Sequence, residues 1–132
     1  MIDAAAAVTS VLRTDGTLLA ECDGRVYCDA VPADADAPFI VARTMGAAFT
    51  APPSTAWDTV EVQVDVVGSE PGEAVSITDR ARLTLAAASG TQVGDTAVAS
   101  MAVVATSYAL DTRSSPARPR WVIAVEVTAR TT

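Results

Sequence analysis

The sequence predicts an α+β domain in which a mostly antiparallel, twisted sheet carries two helices on one face and is joined by long loops. Residues 60–67 alternate apolar and polar side chains, as a strand with one dry and one wet face does. Helical periodicity occurs near the N-terminus and again directly after Gly68. The chain of 132 residues has the size of one domain, so residues 1–132 are expected to form a single domain with its own core.

The N-terminal part is predicted to hold a helix and two strands. Asp3 is a suitable N-cap for a helix that ends at residues 14–16. The acidic residues 33–37 lie between two prolines, lack an apolar stripe and are expected to form a surface loop. The predicted elements are, in order, the helix after Asp3, a segment at 17–22 that fits either a helix extension or a short strand, a strand at 25–28 and a strand at 39–45.

The rest of the chain is predicted to hold a second helix and three strands. A long loop is expected at 46–56, because its prolines cannot donate to a sheet ladder. Pro71 suits the first turn of the helix, whose inward stripe consists of Ala74, Ile77, Ala81, Leu85 and Ala88. The strands are predicted at 58–67, 96–110 and 120–130, and the last two are joined by a loop at 111–119.

The strand at 96–110 is predicted to be apolar on both faces. Val98, Ala102, Val104, Tyr108 and Leu110 fall on one side, and Ala97, Ala99, Met101, Val103 and Ala105 fall on the other. A strand of a sheet covered on one face should show a polar outer face. Either a long loop or another chain is therefore expected to cover it, and the pattern does not decide between the two.

Two further features fit either a structural or a contact role. Leu83 shares the outer helix face with Ser76 and Arg80, where a leucine is either peripheral core or an oligomer contact. Arg113, Arg118 and Arg120 form a dense basic group in an acidic chain. This group is either a solvated connector or an arm that reaches an acidic neighbour.

Composition excludes several classes of function. The net charge of −7 argues against a surface that grips nucleic acid through its phosphates. All nine basic residues are arginine and histidine is absent, which removes His-dependent triads and metal sites. No phosphate-binding glycine loop or nucleophile elbow is present. We therefore expect no enzyme, no cofactor and no metal.

The remaining titratable groups are interpreted as structural. Glu61 and Asp65 are predicted to lie on the wet face of one strand, without the desolvation that acid–base catalysis needs. Cys22 and Cys28 are expected to be reduced and partly buried, since nothing marks the chain as secreted. No stretch resembles a signal peptide or a membrane span, and a soluble protein, intracellular when made, is expected.

Three short runs in a fixed order resemble the tail terminator (tail completion) proteins of long-tailed phages. They are residues 25–27 followed by Val31-Pro32, residues 37–41, and residues 62–66 leading into the second helix. The likeness covers about residues 4–130 and includes the order of the elements. The resemblance implies a mixed α/β domain with helices on a mostly antiparallel sheet.

The same resemblance implies the function. Six copies are expected to form a ring that caps the tail tube, ends its polymerisation and joins it to the head connector protein. The ring belongs at the head–tail junction of the virion after assembly in the host cytoplasm, and DNA passes through it without specific binding. The contacts are assigned to Phe49, Trp57, Leu83, Met101, Val103, Arg113, Arg118 and Arg120.

Two other interpretations stay open at this point. One is a small-ligand binding domain with a pocket lined by Met101, Tyr108 and Trp121, although no cluster of polar groups accompanies these residues. The other is a different component of the head-to-tail connector, such as a stopper.

Overall fold

A computed structural model of the chain describes residues 2–48 and 57–131. In these residues the chain forms three helices and six strands, which confirms the α+β class. The helices are α1 Ala4–Arg13, α2 Gly16–Glu21 and α3 Pro71–Ala86. The strands are β1 Val26–Cys28, β2 Phe39–Ala48, β3 Asp58–Val67, β4 Gln92–Val93, β5 Thr96–Asp111 and β6 Arg118–Thr131.

The strands form one sheet in the order β1-β2-β3-β6-β5-β4. Strand β1 pairs with β2 in parallel, and the other neighbours pair antiparallel. The central strand β3 pairs with β2 on one side and with β6 on the other over its full length. The long hairpin of β5 and β6 makes the other half of the sheet.

The N-terminal helices begin where aspartate side chains cap them. Asp3 accepts a hydrogen bond from the backbone N–H of Ala6 at 3.0 Å, which satisfies one of the donors that a helix N-terminus leaves open. Asp15 accepts from the N–H groups of Thr17 and Leu18 at 3.1 and 3.2 Å. The ambiguous segment 17–22 is therefore a separate short helix, α2, and not a strand.

The main core lies between the helices and one face of the sheet. Its sheet side includes the valines that alternate along β3, all with no exposed surface, and its helix side comes from all three helices. Principal members are Val8, Leu12, Leu18, Val60, Val62, Val64, Val66, Ile77, Leu85, Ile123 and Val125. The inward stripe predicted for α3 is buried as expected.

A close approach joins β3 to α3. Gly68 follows the last residue of β3, and a Cβ atom at this position would lie 2.8 Å from the Cβ of Ala74. Glu73 accepts hydrogen bonds from the N–H and Oγ of Ser69 at 2.9 and 2.7 Å. The first turn of α3 is thus fixed tightly against the end of the strand.

The loop predicted at 46–56 begins too early. Strand β2 passes an irregularity between Thr44 and Gly46 and continues to Ala48, with Gly46 in register with Glu61. Pairing with β3 supplies hydrogen bonds that outweigh the weak strand propensity of glycine and alanine. Residues 49–56, with the prolines on which the prediction depended, lie outside the described residues.

The sides assigned to β5 are also wrong in part. Val98 is in register with Ala129 and Met101 with Val127, so both face the helices and both are 2% exposed. The prediction placed them on opposite sides. The register shifts between Val98 and Ser100, and again between Val103 and Ala105, and each inserted residue reverses the alternation that follows.

A second, smaller core lies on the face of the sheet opposite the helices. Phe39, Val41 and Val67 are its buried members, and side chains of the loop between β1 and β2 pack on them, Val31 and Ala35 among these. The loop predicted at the surface therefore also covers part of the sheet.

Candidate functional site

The far end of strand β5 exposes large apolar side chains. Val98 and Met101 are buried beneath the helices, but Val104, Tyr108 and Leu110 are 56%, 50% and 53% exposed. No charged residue occurs between Asp95 and Asp111. Exposed apolar surface of this kind is typical of a protein contact.

Helix α3 extends this apolar surface. Leu83 is 71% exposed and, with Val103 of β5, lines a groove of about 410 Å³. The rest of its wall is formed by Ala86 and by Asp79 and Arg82, whose charged groups pair at 3.6 Å. We define the assembly surface as the exposed side chains Leu83, Val104, Tyr108 and Leu110 together with Val103, which is partly buried against the main core.

Two of the three predicted loop arginines form an ion-pair cluster on Asp111. Arg113 Nε and Arg118 Nη2 donate to the two carboxylate oxygens of Asp111 at 3.0 and 2.9 Å. Burial alone would raise the pKa of Asp111, but these hydrogen bonds outweigh it and the pKa is lowered. Arg118 also donates to the carbonyl of Ala35 and lies over the ring of Phe39 at 5.4 Å.

Arg118 therefore fastens the β5–β6 turn onto the β1–β2 loop. The main role of Arg118 is structural, and its side chain is only 25% exposed. The side chain of Arg113 is 62% exposed and remains accessible to a partner.

Arg120 belongs to a second buried cluster, around Asp65. Arg120 Nη2 and Arg43 Nη1 both donate to Asp65 Oδ2, at 3.1 and 3.0 Å, and Gln63 donates to Oδ1 at 2.8 Å. The side chain of Asp65 is 1% exposed. Its predicted position on a wet face is wrong, because two long arginine side chains from the flanking strands cover the carboxylate.

Two more of the assigned contact residues, Trp57 and Met101, do not belong to the assembly surface. Trp57 is 36% exposed and stacks under the guanidinium of Arg130 at 4.6 Å, near the start of β3. Val67 and Arg120 are paired at the opposite end of that strand, roughly 30 Å away at the usual rise per residue. Met101 is in the core, which removes it from the contact set, and Phe49 lies outside the described residues.

The helix-free face of the sheet carries an acidic pair next to small side chains. Glu61 and Glu126 are directly opposite each other on β3 and β6, and both are exposed. On β5 the neighbouring positions of this face are Ala102 and Ala105. Two like charges at opposed positions destabilise a sheet slightly, so this pair contributes nothing to stability, unlike the Asp65 cluster with Arg43 and Arg120 on the same face.

The described residues show little that would support chemistry. They contain no group of three or more acidic or cysteine side chains that could hold a metal ion. Cys22 and Cys28 are free thiols, and burial, with the nearby Glu21 carboxylate second, raises the pKa of Cys22 to about 11.

None of the helices in the described part of the chain has the length and apolar character that crossing a membrane requires.

The residues proposed to line a ligand pocket do not meet. Tyr108 packs against Trp121 with ring centroids 5.4 Å apart. Met101 precedes Tyr108 by seven residues on the same strand, about 20 Å along it, and is buried under the helices. These three side chains therefore cannot enclose one small molecule.

Sequence reasoning assigned Leu83 and Val103 to contacts but did not single out Val104, Tyr108 and Leu110, which the structure shows to be exposed. The signal that points to them is the uncharged run from Thr96 to Leu110. Edge strands of monomeric proteins usually carry a charged residue or a proline, which prevents pairing with another chain. Helical and strand periodicity alone could not show the register shift between Val103 and Ala105, at which Val104 is exposed.

Comparisons with known proteins identify the family. The family model of tail completion protein gp17 matches residues 6–132. No curated protein matches the sequence. A chain in a solved structure described as "Virion of native gene transfer agent (GTA) particle" shares the fold, with a TM-score of 0.68, 17% sequence identity, and coverage of 95% of this chain and 93% of that chain. The chain belongs to the tail completion protein gp17 family and is a structural protein of a phage tail.

Proposed function

We propose that six copies of this chain form a ring that caps the phage tail tube, ends its polymerisation and joins it to the head connector. The observation that carries the proposal is the assembly surface. Leu83, Val104, Tyr108 and Leu110 are each at least half exposed in one copy, on a protein whose family acts within the tail. A neighbouring copy would bury this surface and gain about 25 cal/mol for each Å² of apolar area.

Ring formation also fits the construction of the fold. The side chains of the assembly surface belong to α3 and β5. Head-to-tail contacts between two different surfaces close into rings, whereas a self-complementary surface gives a dimer. The fold that this chain shares with a chain of a gene transfer agent virion is compatible with such a role.

We expect DNA to pass through the ring without specific binding. On the helix-free face, Glu61 and Glu126 lie beside Arg43, Arg120 and Arg130, so this face as a whole is not acidic. The support comes from the net charge of −7 of the whole chain. Repulsion between that charge and DNA phosphates would let a genome pass without binding.

Microscopy of the purified chain tests the proposal. We expect annular particles with sixfold symmetry by negative stain, a matching mass by light scattering, and shorter tubes when the chain is added to polymerising tube protein. A protein that remains monomeric, with and without tube protein, and leaves tube length unchanged would overturn the proposal.

A variant of the assembly surface makes this test specific. Leu83→Asn changes a side chain that is 71% exposed, so the folded state should lose less than about 0.5 kcal/mol. We expect it to lose ring formation and tube capping. Ala20→Asn, at an exposed position of α2, is the matched control and should form rings normally.

A further inference from the structure

We infer that the ring is closed by strand pairing, in which the free edge of β5 in one copy adds to the free half of β2 in the next copy. The inference rests on the proposed ring and names the contact that builds it. The sheet would then continue from subunit to subunit, with Val104 of one copy beside Met45 of its neighbour.

Strand β5 offers one free edge. Strand β4 pairs only with Thr96 and Ala97. Beyond them, the carbonyl of Val98 accepts a hydrogen bond from the N–H of Gly90, and the N–H of Val98 donates to the carbonyl of Thr91. From Ala99 onward, nothing within residues 2–48 and 57–131 pairs with this side of β5. Every second residue of such an edge directs its N–H and C=O groups outward.

Strand β2 offers the other free edge, at the opposite end of the sheet. Strand β1 pairs only with Ile40 to Ala42, so Arg43 to Ala48 have no neighbour on that side among the described residues. The short β1 is itself protected, because Arg13 donates a hydrogen bond to the carbonyl of Val26. Apart from Arg43, which is paired with Asp65, the free half of β2 carries no charge.

The two free edges lie at the same level of the sheet. Following the register across the strands, Arg43 aligns with Ala105, and Ala48 aligns with Ser100. Because the two edges lie at the same level, copies can join in a plane, without the axial rise that would produce a helical filament.

Each edge places an exposed apolar side chain at that level. Met45 is 55% exposed at the irregularity between Thr44 and Gly46, and Val104 is 56% exposed at the irregularity between Val103 and Ala105. Bulges redirect side chains and end regular pairing. Beyond this level, toward the start of β2, β1 lies beside β2 and leaves no room there for a strand of another copy. The bulge at Val104 is where β5 of the neighbouring copy can bend away from β1.

The dimensions agree with a channel. Four strands of each copy cross this level, β2, β3, β6 and β5. With about 4.8 Å between strands, six copies would close at a backbone diameter of roughly 40 Å, and tilted strands would widen it. The helices would lie outside and the face with Glu61 and Glu126 would line the channel.

A charge exchange across the contact tests the inference. Val104→Lys and, separately, Met45→Lys each place an unpaired charge in the pairing edge, and we expect at least tenfold weaker ring formation, roughly the effect of one disfavoured charge at an interface. Val104→Lys combined with Met45→Glu places opposite charges across every subunit boundary and should restore rings. Ala20→Lys, exposed on α2, is the control and should leave assembly unchanged. Thermal unfolding of each variant verifies that the protomer is folded.

The outcomes separate this inference from the proposed function. Rings that form equally well with Val104→Lys and Met45→Lys would overturn strand pairing and leave the ring proposal intact. A dimer that is sensitive to Val104→Lys but not to Met45→Lys would mean that β5 pairs with itself, which would also overturn the inference. An unmodified protein that forms no ring, even with tube protein, would overturn both.

Discussion

Strands β3 and β5 are similar in apolar content but differ in what surrounds them. In β3 the valines at 60, 62, 64 and 66 have no exposed surface, because strands flank it on both sides and helices cover it. In β5 only the first part lies beneath helices, and Val104, Tyr108 and Leu110 are half exposed. An apolar strand therefore indicates burial only where the fold supplies a neighbour, and the exposed part of β5 is where we propose that a partner supplies one.

The largest expected effect is at the end of β3, where the packing is closest. Gly68→Ala adds a Cβ that would lie 2.8 Å from the Cβ of Ala74 and 3.1 Å from its backbone, and we expect a loss of about 3 kcal/mol in the free energy of unfolding. Urea denaturation measures it. Gly72→Ala, where a Cβ would meet nothing within 4 Å, is the control, and an equal loss there would contradict the argument.

The next largest effect is the difference in stability loss between a core valine of β3 and an exposed valine of β5. Val62→Ala empties space in the core and should cost about 2 kcal/mol of unfolding free energy. Val104→Ala removes the same atoms from an exposed site and should cost less than about 0.5 kcal/mol, while weakening ring formation. Equal losses of stability in the two variants would show that the far end of β5 is covered within a single copy.

A smaller effect concerns the helix layer that covers β3. Asp15 in the cap of α2 accepts hydrogen bonds from Arg80 Nε at 2.8 Å and from Thr84 Oγ at 2.7 Å on α3. The hydrogen bonds from Arg80 and then Thr84 hold the pKa of Asp15 well below its ordinary value of 3.8. Because the folded pKa is the lower one, this contact stabilises the protein above about pH 4 and its contribution is lost as the pH falls further.

Asp15→Asn should therefore lower the melting temperature by a few degrees at pH 7 and make progressively less difference below pH 4. Asp79→Asn, at an exposed carboxylate of α3, is the control. A deficit for Asp15→Asn that stayed constant down to pH 2 would contradict the role of the charge.

The smallest effect is on thiol reactivity. Cys22 is fully buried, and burial raises its pKa to about 11, whereas Cys28 is half buried on the edge strand β1 and burial raises its pKa as well. We expect a maleimide at pH 7.5 to modify Cys28 slowly and Cys22 only after unfolding. Mass spectrometry of the folded and urea-unfolded protein measures this, and rapid labelling of Cys22 in the folded protein would contradict its burial.

The sequence was sufficient for α1, α3 and the long strands, but not for α2, for β4 or for the details of β5 and β2. Alternation along β3 and the inward stripe of α3 predicted burial correctly, because both follow from the period of a regular element. The register shifts near Met45, Val98 and Val104 leave no such periodic signal. Because of the irregularity between Val98 and Ser100, Met101 lies in the core on the same side as Val98, whereas simple alternation predicted opposite sides.

Long-range pairing was the other part that could not be predicted. Asp65 looked like a solvated residue of an alternating strand, and its burial depends on Arg43 and Arg120, which are distant in sequence. Arg118 was interpreted as a possible contact arm, but it fastens two loops through Asp111 and Ala35. Such contacts depend on the order of strands in the sheet, which local patterns do not contain.

The most direct test of the account is a high-resolution cryo-electron microscopy map of the chain assembled on tail tubes. The account predicts a closed ring in which Leu83, Tyr108 and Leu110 of each copy lie against the next copy. A map in which these side chains face solvent, or in which the chain is present as an isolated protomer, would contradict it.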